Sequence, residues 1–233
     1  MKKKAVVLLS GGIDSATLMA VARNEGYDLY PITFCYGQKH ENEVNCAKKI
    51  ASLYGVKEHL LFDIDLGKIG GSSLTTEEPI PKGREIGKIP DSIPTTYVPA
   101  RNTIFLSIAL AWAEAIGSRA IFIGVNSIDW SGYPDCRPEY IKAFQKMADL
   151  ATKTGVEEEE KITIFAPLIN MTKGEIIKKG ISLNVDYSIT NSCYEPVLNG
   201  RKLKPCGLCD SCLLRKKGFE EAGIKDPLYQ GKQ

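Results

Sequence analysis

Ala5-Val6-Val7-Leu8-Leu9-Ser10-Gly11-Gly12-Ile13-Asp14-Ser15-Ala16 decides the architecture of this chain. Five apolar residues in a row are what a strand buried on both faces requires. Two glycines then permit a sharp reversal, and from residue 16 to 24 apolar side chains recur at helical spacing. The same alternation continues outward. Further strands are predicted over 29–34, 58–62, 120–125 and 162–165, and further helices over 41–54, 103–116 and 138–154. In the last of these, Tyr140, Ile141, Phe144, Met147, Ala148 and Ala151 share one stripe. Such alternation predicts an α/β fold, a Rossmann-like parallel sheet with helices on both faces.

Two stretches break the pattern. Residues 67–99, rich in Gly, Pro, Ser and Thr, exceed an ordinary connection. Beyond Asn191 the chain turns cysteine-rich, with a short helix expected near 213–222. We therefore expect a catalytic body over 1–190 and a small C-terminal subdomain over 191–233.

A chain of 233 residues buries about seven-tenths of its unfolded surface, enough for one core without staples. Thirty Lys and Arg against 28 Asp and Glu leave a net charge of +2. That balance excludes a strongly basic nucleic-acid clamp and an acidic tail. The most apolar stretch, 104–113, contains Ser107 and stops at Glu114, well short of the roughly 20 residues of a membrane span. Lys2, Lys3 and Lys4 before an apolar run imitate a signal peptide, but the run ends at Gly-Gly without a small-residue cleavage site. A first strand and a cytoplasmic location are expected instead.

The Ser10–Ser15 turn has the chemistry of an anion cradle. Glycines bring backbone N–H groups close to a ligand, and the helix N-terminus aims unpaired donors and partial positive charge at the same point. Ser10 and Ser15 add hydroxyls. The lysine of G-x-x-x-x-G-K-[ST] is missing, and with it the grip of an ordinary ATPase on the β and γ phosphates. A plain strand-to-helix turn capped by Asp14 or Ser15 is the alternative.

In an open parallel sheet, ligands lie at the carboxyl ends of the strands, where four polar clusters fall. They are Cys35-Tyr36-Gly37-Gln38-Lys39-His40-Glu41-Asn42-Glu43, Val98-Pro99-Ala100-Arg101-Asn102, the stretch 124–137, and Pro167-Leu168-Ile169-Asn170-Met171-Thr172-Lys173. Each has a plain reading: Thr172 with Glu175 is a capping box, Gly132-Tyr133-Pro134-Asp135 an ordinary turn, and His40 a capping or surface residue. Their convergence on one rim favours a site.

Cys206-x-x-Cys209-x-x-Cys212, with Cys193 upstream, supplies four thiols. Four thiolates close a tetrahedral structural zinc site with no open position. An iron–sulfur cluster and free thiols are the alternatives, although the ferredoxin run ends in C-x₃-C-P and Leu213-Leu214-Arg215-Lys216 follows here. Residues 198–204, in the gap between Cys193 and Cys206, are expected to form a loop.

Ser10-Gly11-Gly12-Ile13-Asp14-Ser15 resembles the pyrophosphatase loop of the N-type ATP pyrophosphatases. Tyr36-Gly37-Gln38-Lys39-His40, Val98-Pro99-Ala100-Arg101-Asn102, Asp129-x-Ser131-Gly132-Tyr133-Pro134-Asp135-Cys136-Arg137 and Ser192-Cys193-Tyr194 narrow the resemblance to the family of 7-cyano-7-deazaguanine synthases (QueC). Ala100 departs from that pattern, where glycine is expected. The resemblance implies an adenine nucleotide alpha hydrolase-like sheet. It implies an ATP-dependent ligase that converts 7-carboxy-7-deazaguanine and ammonia to the nitrile in queuosine biosynthesis, releasing AMP and pyrophosphate. ATP is expected on Leu9, Ser10, Gly11, Gly12, Ile13, Asp14, Ser15, Ala16, Thr17, Leu18 and Met19, with Mg²⁺ held partly by Asp14. Asp14, Ser15, Arg101 and Lys173 are the expected catalytic residues. Asp129, Tyr133, Asp135 and Arg137 are expected to read the deazapurine, with Asp135 accepting from its guanidine-like edge. Zn²⁺, one per chain, is expected on Cys193, Cys206, Cys209 and Cys212. A homodimer without direct nucleic-acid binding completes the expectation. Two rivals stay open: another adenylating enzyme of the same loop class, of tRNA thiolase or synthetase type, and a non-catalytic zinc-stabilised nucleotide-binding module.

Overall fold

A computed structural model of the chain describes residues 2–38, 42–84, 93–128, 132–199 and 202–229. Five parallel strands form the sheet: β1 (Lys4–Leu8), β2 (Asp28–Cys35), β3 (Leu60–Asp63), β4 (Ala120–Phe122) and β5 (Thr163–Phe165), in the order β3-β2-β1-β4-β5. Register pairs Val6 with both Tyr30 and Ile121, so β1 is central. The helices are α1 (Ile13–Asn24), α2 (Asn42–Leu53), α3 (Arg101–Ile116), α4 (Pro138–Ala151), α5 (Lys153–Glu157), α6 (Lys173–Ser182) and α7 (Asp210–Ala222).

Alternation along β1 builds two cores. Val6 and Leu8 pack with Leu106, Ala109 and Ala113 of α3 and Ile141 and Phe144 of α4. Ala5 and Val7 face Ala16 and Met19 of α1, Ile50 of α2, Ile176 and Ile177 of α6 and Phe219 of α7. Every second residue of a strand points to the opposite face, so one uninterrupted apolar run serves both layers. Among the described residues no helix is long and apolar enough to cross a membrane.

Several element boundaries differ from the expectation. The stretch 138–154 breaks at Thr152, whose hydroxyl donates to the Ala148 carbonyl and accepts from Gly155 N; that local capping ends α4 and starts α5. The strand expected over 120–125 ends at Phe122, although Ile123 N still bonds to Phe165 O at 2.9 Å. In the tail, the stretch around 198–204 is not a plain loop: β6 (Val197–Asn199) and β7 (Lys202–Lys204) pair antiparallel. The capping box at Thr172 and Glu175 opens α6 as expected.

Strand order reverses between β1 and β4, because the chain goes outward through β2 and β3 and then returns to the other side of β1. Loops leaving the two strands diverge and leave a crevice at their carboxyl ends. The long 67–99 connection reaches across to the tail: Lys82 bridges to Cys209 and Gly83 N bonds to Leu208 O at 2.9 Å.

Candidate active site

The β1–α1 turn sits at that crevice. Gly11 has φ +90°, and a Cβ on it would lie 2.8 Å from Ala47 N and closer still to the Glu43 carbonyl oxygen. A glycine is obligatory there on both counts. Gly12 is different: its φ of −84° and ψ of 175° suit any residue, and a Cβ would meet nothing nearer than Asn191 O at 3.5 Å. The Ser15 hydroxyl braces the turn, accepting from Gly11 N at 3.1 Å and donating to Gly12 O at 3.1 Å. The loop after β4 packs against the turn, since a Cβ added at Gly124 would make an ordinary contact with the Asp14 carbonyl carbon at 3.5 Å.

A cavity of about 280 Å³ opens beside this turn. Leu9, Ser10, Gly12, Ile13, Asp14 and Ser15 line it, together with Arg101, Tyr133 and Lys173. Two loops and two helix starts, far apart in sequence, thus meet around one space. Lys173 Nζ donates to both Asp14 oxygens, at 2.6 and 2.7 Å. The Lys173 side chain is 9% exposed and that of Asp14 26%. Gly218 of α7 makes room for the lysine stem, since a Cβ there would sit 2.9 Å from Lys173 Cβ.

Arg101 opens α3 on the opposite wall. Its Nη1 lies 3.5 Å from the Tyr36 hydroxyl and its guanidinium carbon 5.8 Å from that ring's centre. Burial works against its charge, but Tyr36, Tyr133, Cys136 and Tyr194 more than offset this and raise its pKa. Tyr36 and Cys136 are both pushed up to about 12, chiefly by burial, so neither is a ready nucleophile. The Tyr133 hydroxyl pairs with Thr96 Oγ1 at 3.0 Å.

Other expected residues lie elsewhere. Asp135 is 5% exposed and off the cavity wall. Its Oδ2 accepts from Asn102 N at 3.0 Å, while Asn102 Nδ2 donates to Asp135 O at 3.1 Å. It braces the N-terminus of α3, where negative charge is favourable. Arg137 is exposed at the N-cap of α4 and does not line the cavity. Asp129 and His40 lie outside the described residues. Gly11 and Ala16 back the cradle without facing the cavity, Leu18 and Met19 are fully buried in the core, and Thr17 bonds to the Tyr187 hydroxyl at 2.7 Å.

The sulfurs of Cys193, Cys206, Cys209 and Cys212 lie within 4.8 Å of one another, and Cys206 Sγ and Cys212 Sγ are 4.0 Å apart. A tetrahedron with Zn–S bonds of about 2.3 Å spaces its sulfurs by roughly 3.8 Å, so the set fits zinc. Backbone N–H groups converge on it: Cys206 N on Cys193 Sγ at 3.2 Å, and Cys209 N on Cys206 Sγ at 3.4 Å. Donors of that kind suit thiolates. Cys193 also lines the cavity, which joins the cysteine cluster to the active-site wall.

Over residues 4–223 the chain matches the family described as Queuosine biosynthesis protein QueC. The chain belongs to the QueC family. Among its QueC relatives, the 7-cyano-7-deazaguanine synthase of Desulfatibacillum aliphaticivorans is 59% identical over 226 residues, covering 97% of this chain and 96% of the relative. That of Syntrophus aciditrophicus (strain SB) is 58% identical over 228 residues, covering 98% and 97%. Among solved structures, NMN synthetase from Francisella tularensis aligns with a TM-score of 0.49 at 17% identity, over 82% of this chain and 66% of that one.

Sequence reasoning does not single out Glu43, a cavity residue of this QueC chain in the first turn of α2. Burial raises its carboxyl from 4.5 to about 7, against the pull of Arg101. It sits in the polar cluster after β2, but nothing in a run of polar residues says which of them faces inward. Tyr194, next to Cys193 of the cysteine cluster, also lines the cavity.

Proposed function

We propose that the chain converts 7-carboxy-7-deazaguanine and ammonia to 7-cyano-7-deazaguanine at the expense of ATP, releasing AMP and pyrophosphate. One observation carries this reading: a single cavity joins a phosphate cradle, with the Asp14–Lys173 pair at its edge, to a separate wall bearing Arg101 and aromatic rings. The cradle would take the phosphates of a nucleotide, and the aromatic wall a flat anionic acceptor.

The substrate carboxylate attacks the α-phosphorus, and pyrophosphate leaves against the N–H donors of the cradle, which stabilise its growing charge. Ammonia displaces AMP from the resulting acyl adenylate and loses a proton, giving the amide. A second adenylation on the amide oxygen, followed by loss of AMP and two N–H protons, forms the C≡N bond. The chain's contribution is positioning and charge stabilisation, without a protein nucleophile. Lys173 turns from Asp14 to phosphate oxygens as the nucleotide binds, and Arg101 faces the acceptor. A carboxylate beside a phosphate cradle is the donor set Mg²⁺ uses; Asp14 would hold it, and the ion supplies charge neutralisation of the triphosphate.

The four cysteines hold one structural zinc per chain, in a 191–233 segment that closes the wall of the 1–190 body. A cytoplasmic homodimer using free ammonia completes the reading. The test is AMP release measured with and without 7-carboxy-7-deazaguanine and ammonia. Acceptor-dependent AMP together with the nitrile is expected. ATP binding with no AMP in any mixture would reduce the chain to a nucleotide-binding module.

A further inference from the structure

Among the described residues, three carboxylates surround the cavity or stand behind its wall, and two are engaged. Asp14 has both oxygens on Lys173, and Asp135 caps α3 from behind the wall. The Glu43 carboxyl lines the cavity and makes no hydrogen bond or ion pair among the described residues. Its position is tightly set, because the backbone of this first turn of α2 abuts Gly11. Arg101, from α3, is its charged neighbour, and Tyr36 and Phe105 supply flat apolar surface on the same wall, their rings 5.6 Å apart.

A cation beside an unpaired carboxyl complements one particular ligand edge. The six-membered ring of a 7-deazaguanine presents a carbonyl acceptor, a ring N–H and an exocyclic amino group in a row. A guanidinium donates to the first, and a carboxylate accepts from the other two in a two-pronged, charge-assisted arrangement. The reactive carboxyl is on the five-membered ring, beside the carbonyl end of that edge and remote from the exocyclic amino group. Anchoring the edge at Glu43 and Arg101 therefore leaves the reacting group on the Arg101 side of the ligand, inside the cavity that both residues line. Glu43 is half-buried, and a ligand that supplies two donors would satisfy its carboxyl there.

Resting on the function proposed above, we infer that Glu43 is the specificity-determining acceptor for the N–H and exocyclic amino group of the deazaguanine, with Arg101 donating to its carbonyl. It takes the role that the sequence motif assigns to Asp135.

Kinetics of wild type, Glu43→Gln and Glu43→Asp test this, using 7-carboxy-7-deazaguanine, its analogue lacking the exocyclic amino group, and ATP varied separately. Wild type should disfavour the analogue by roughly 10- to 100-fold in kcat/KM, the range set by a hydrogen bond to a charged group. Glu43→Gln should raise the acceptor KM by a similar factor, lose discrimination against the analogue, and leave the ATP KM within about twofold. Glu43→Asp should recover part of the discrimination. An effect on the ATP KM in place of the acceptor KM would overturn the assignment, as would discrimination that survives in Glu43→Gln. Should that variant not fold, equal use of both acceptors by wild type would be just as decisive against Glu43. Wild type that forms no acceptor-dependent AMP would instead remove the proposed reaction itself, so the two failures are distinct.

Discussion

Gly11 and Gly12 are adjacent and chemically identical, yet replacing each with alanine should produce opposite phenotypes. At Gly11 an added Cβ meets main-chain atoms of α2, including Ala47 N at 2.8 Å, and the residue sits at φ +90°. Left-handed backbone costs a side-chain-bearing residue about 1–2 kcal/mol, and forced overpacking a further 1–3 kcal/mol. Main chain on both sides leaves no flexible group to move aside. The expected loss is about 2–5 kcal/mol, roughly 10 °C in Tm for a domain of this size. At Gly12 the backbone is ordinary and the nearest contact is 3.5 Å. Alanine as N-cap costs about 1 kcal/mol or less, so Gly12→Ala should melt within about 3 °C of wild type. Its methyl group, however, enters the space where phosphate oxygens must approach the N–H donors, and ATP affinity should fall at least about tenfold. Thermal melts paired with calorimetric ATP titration read both properties. Gly11→Ala melting with wild type, or Gly12→Ala binding ATP normally, would refute the placement of the cradle.

Glu43→Gln should alter the pH dependence of stability in the protein without substrates. The wild-type carboxyl goes from 4.5 to about 7 on folding, chiefly through burial, with Arg101, Tyr36 and Cys46 as its charged or titratable neighbours. The folded state therefore binds the proton more tightly, and stability falls as pH rises from about 4.5 to 7. The variant should match wild type near pH 4.5 and exceed it above pH 7, by at most about 3 kcal/mol; equal pH–Tm curves would contradict this. Ala100 caps α3 at φ 52°, so Ala100→Gly should raise Tm by about 2 °C, from about 0.5–1 kcal/mol of relieved strain. Elemental analysis should find one zinc per chain, and a chelator should lower Tm and acceptor-dependent AMP release together, since Cys193 belongs to both the sulfur cluster and the cavity wall. Stoichiometric iron with visible absorption would contradict the metal assignment.

Reading the sequence is enough for the sheet, the phosphate turn and the cysteine cluster, because each is encoded locally. Strand β1 is legible in five consecutive apolar residues, α6 in the Thr172–Glu175 box, and the metal site in two Cys-x-x-Cys steps. Lys173 and Arg101 stand out by their position after strands, and both line the cavity. The roles of the carboxylates are not legible in this way. Asp135 stands in the most selective motif of the chain but turns back to cap α3, whereas Glu43, in an unremarkable polar run, faces the cavity. Both lie next to helix starts, and which way each points follows from packing between elements distant in sequence: α2 against Gly11, and the loop after β4 against Asn102. Spacing along a chain records periodicity and local capping. The direction of a polar side chain near the sheet's edge is decided only when separate loops compete for the same donors, and that competition exists in the tertiary structure alone.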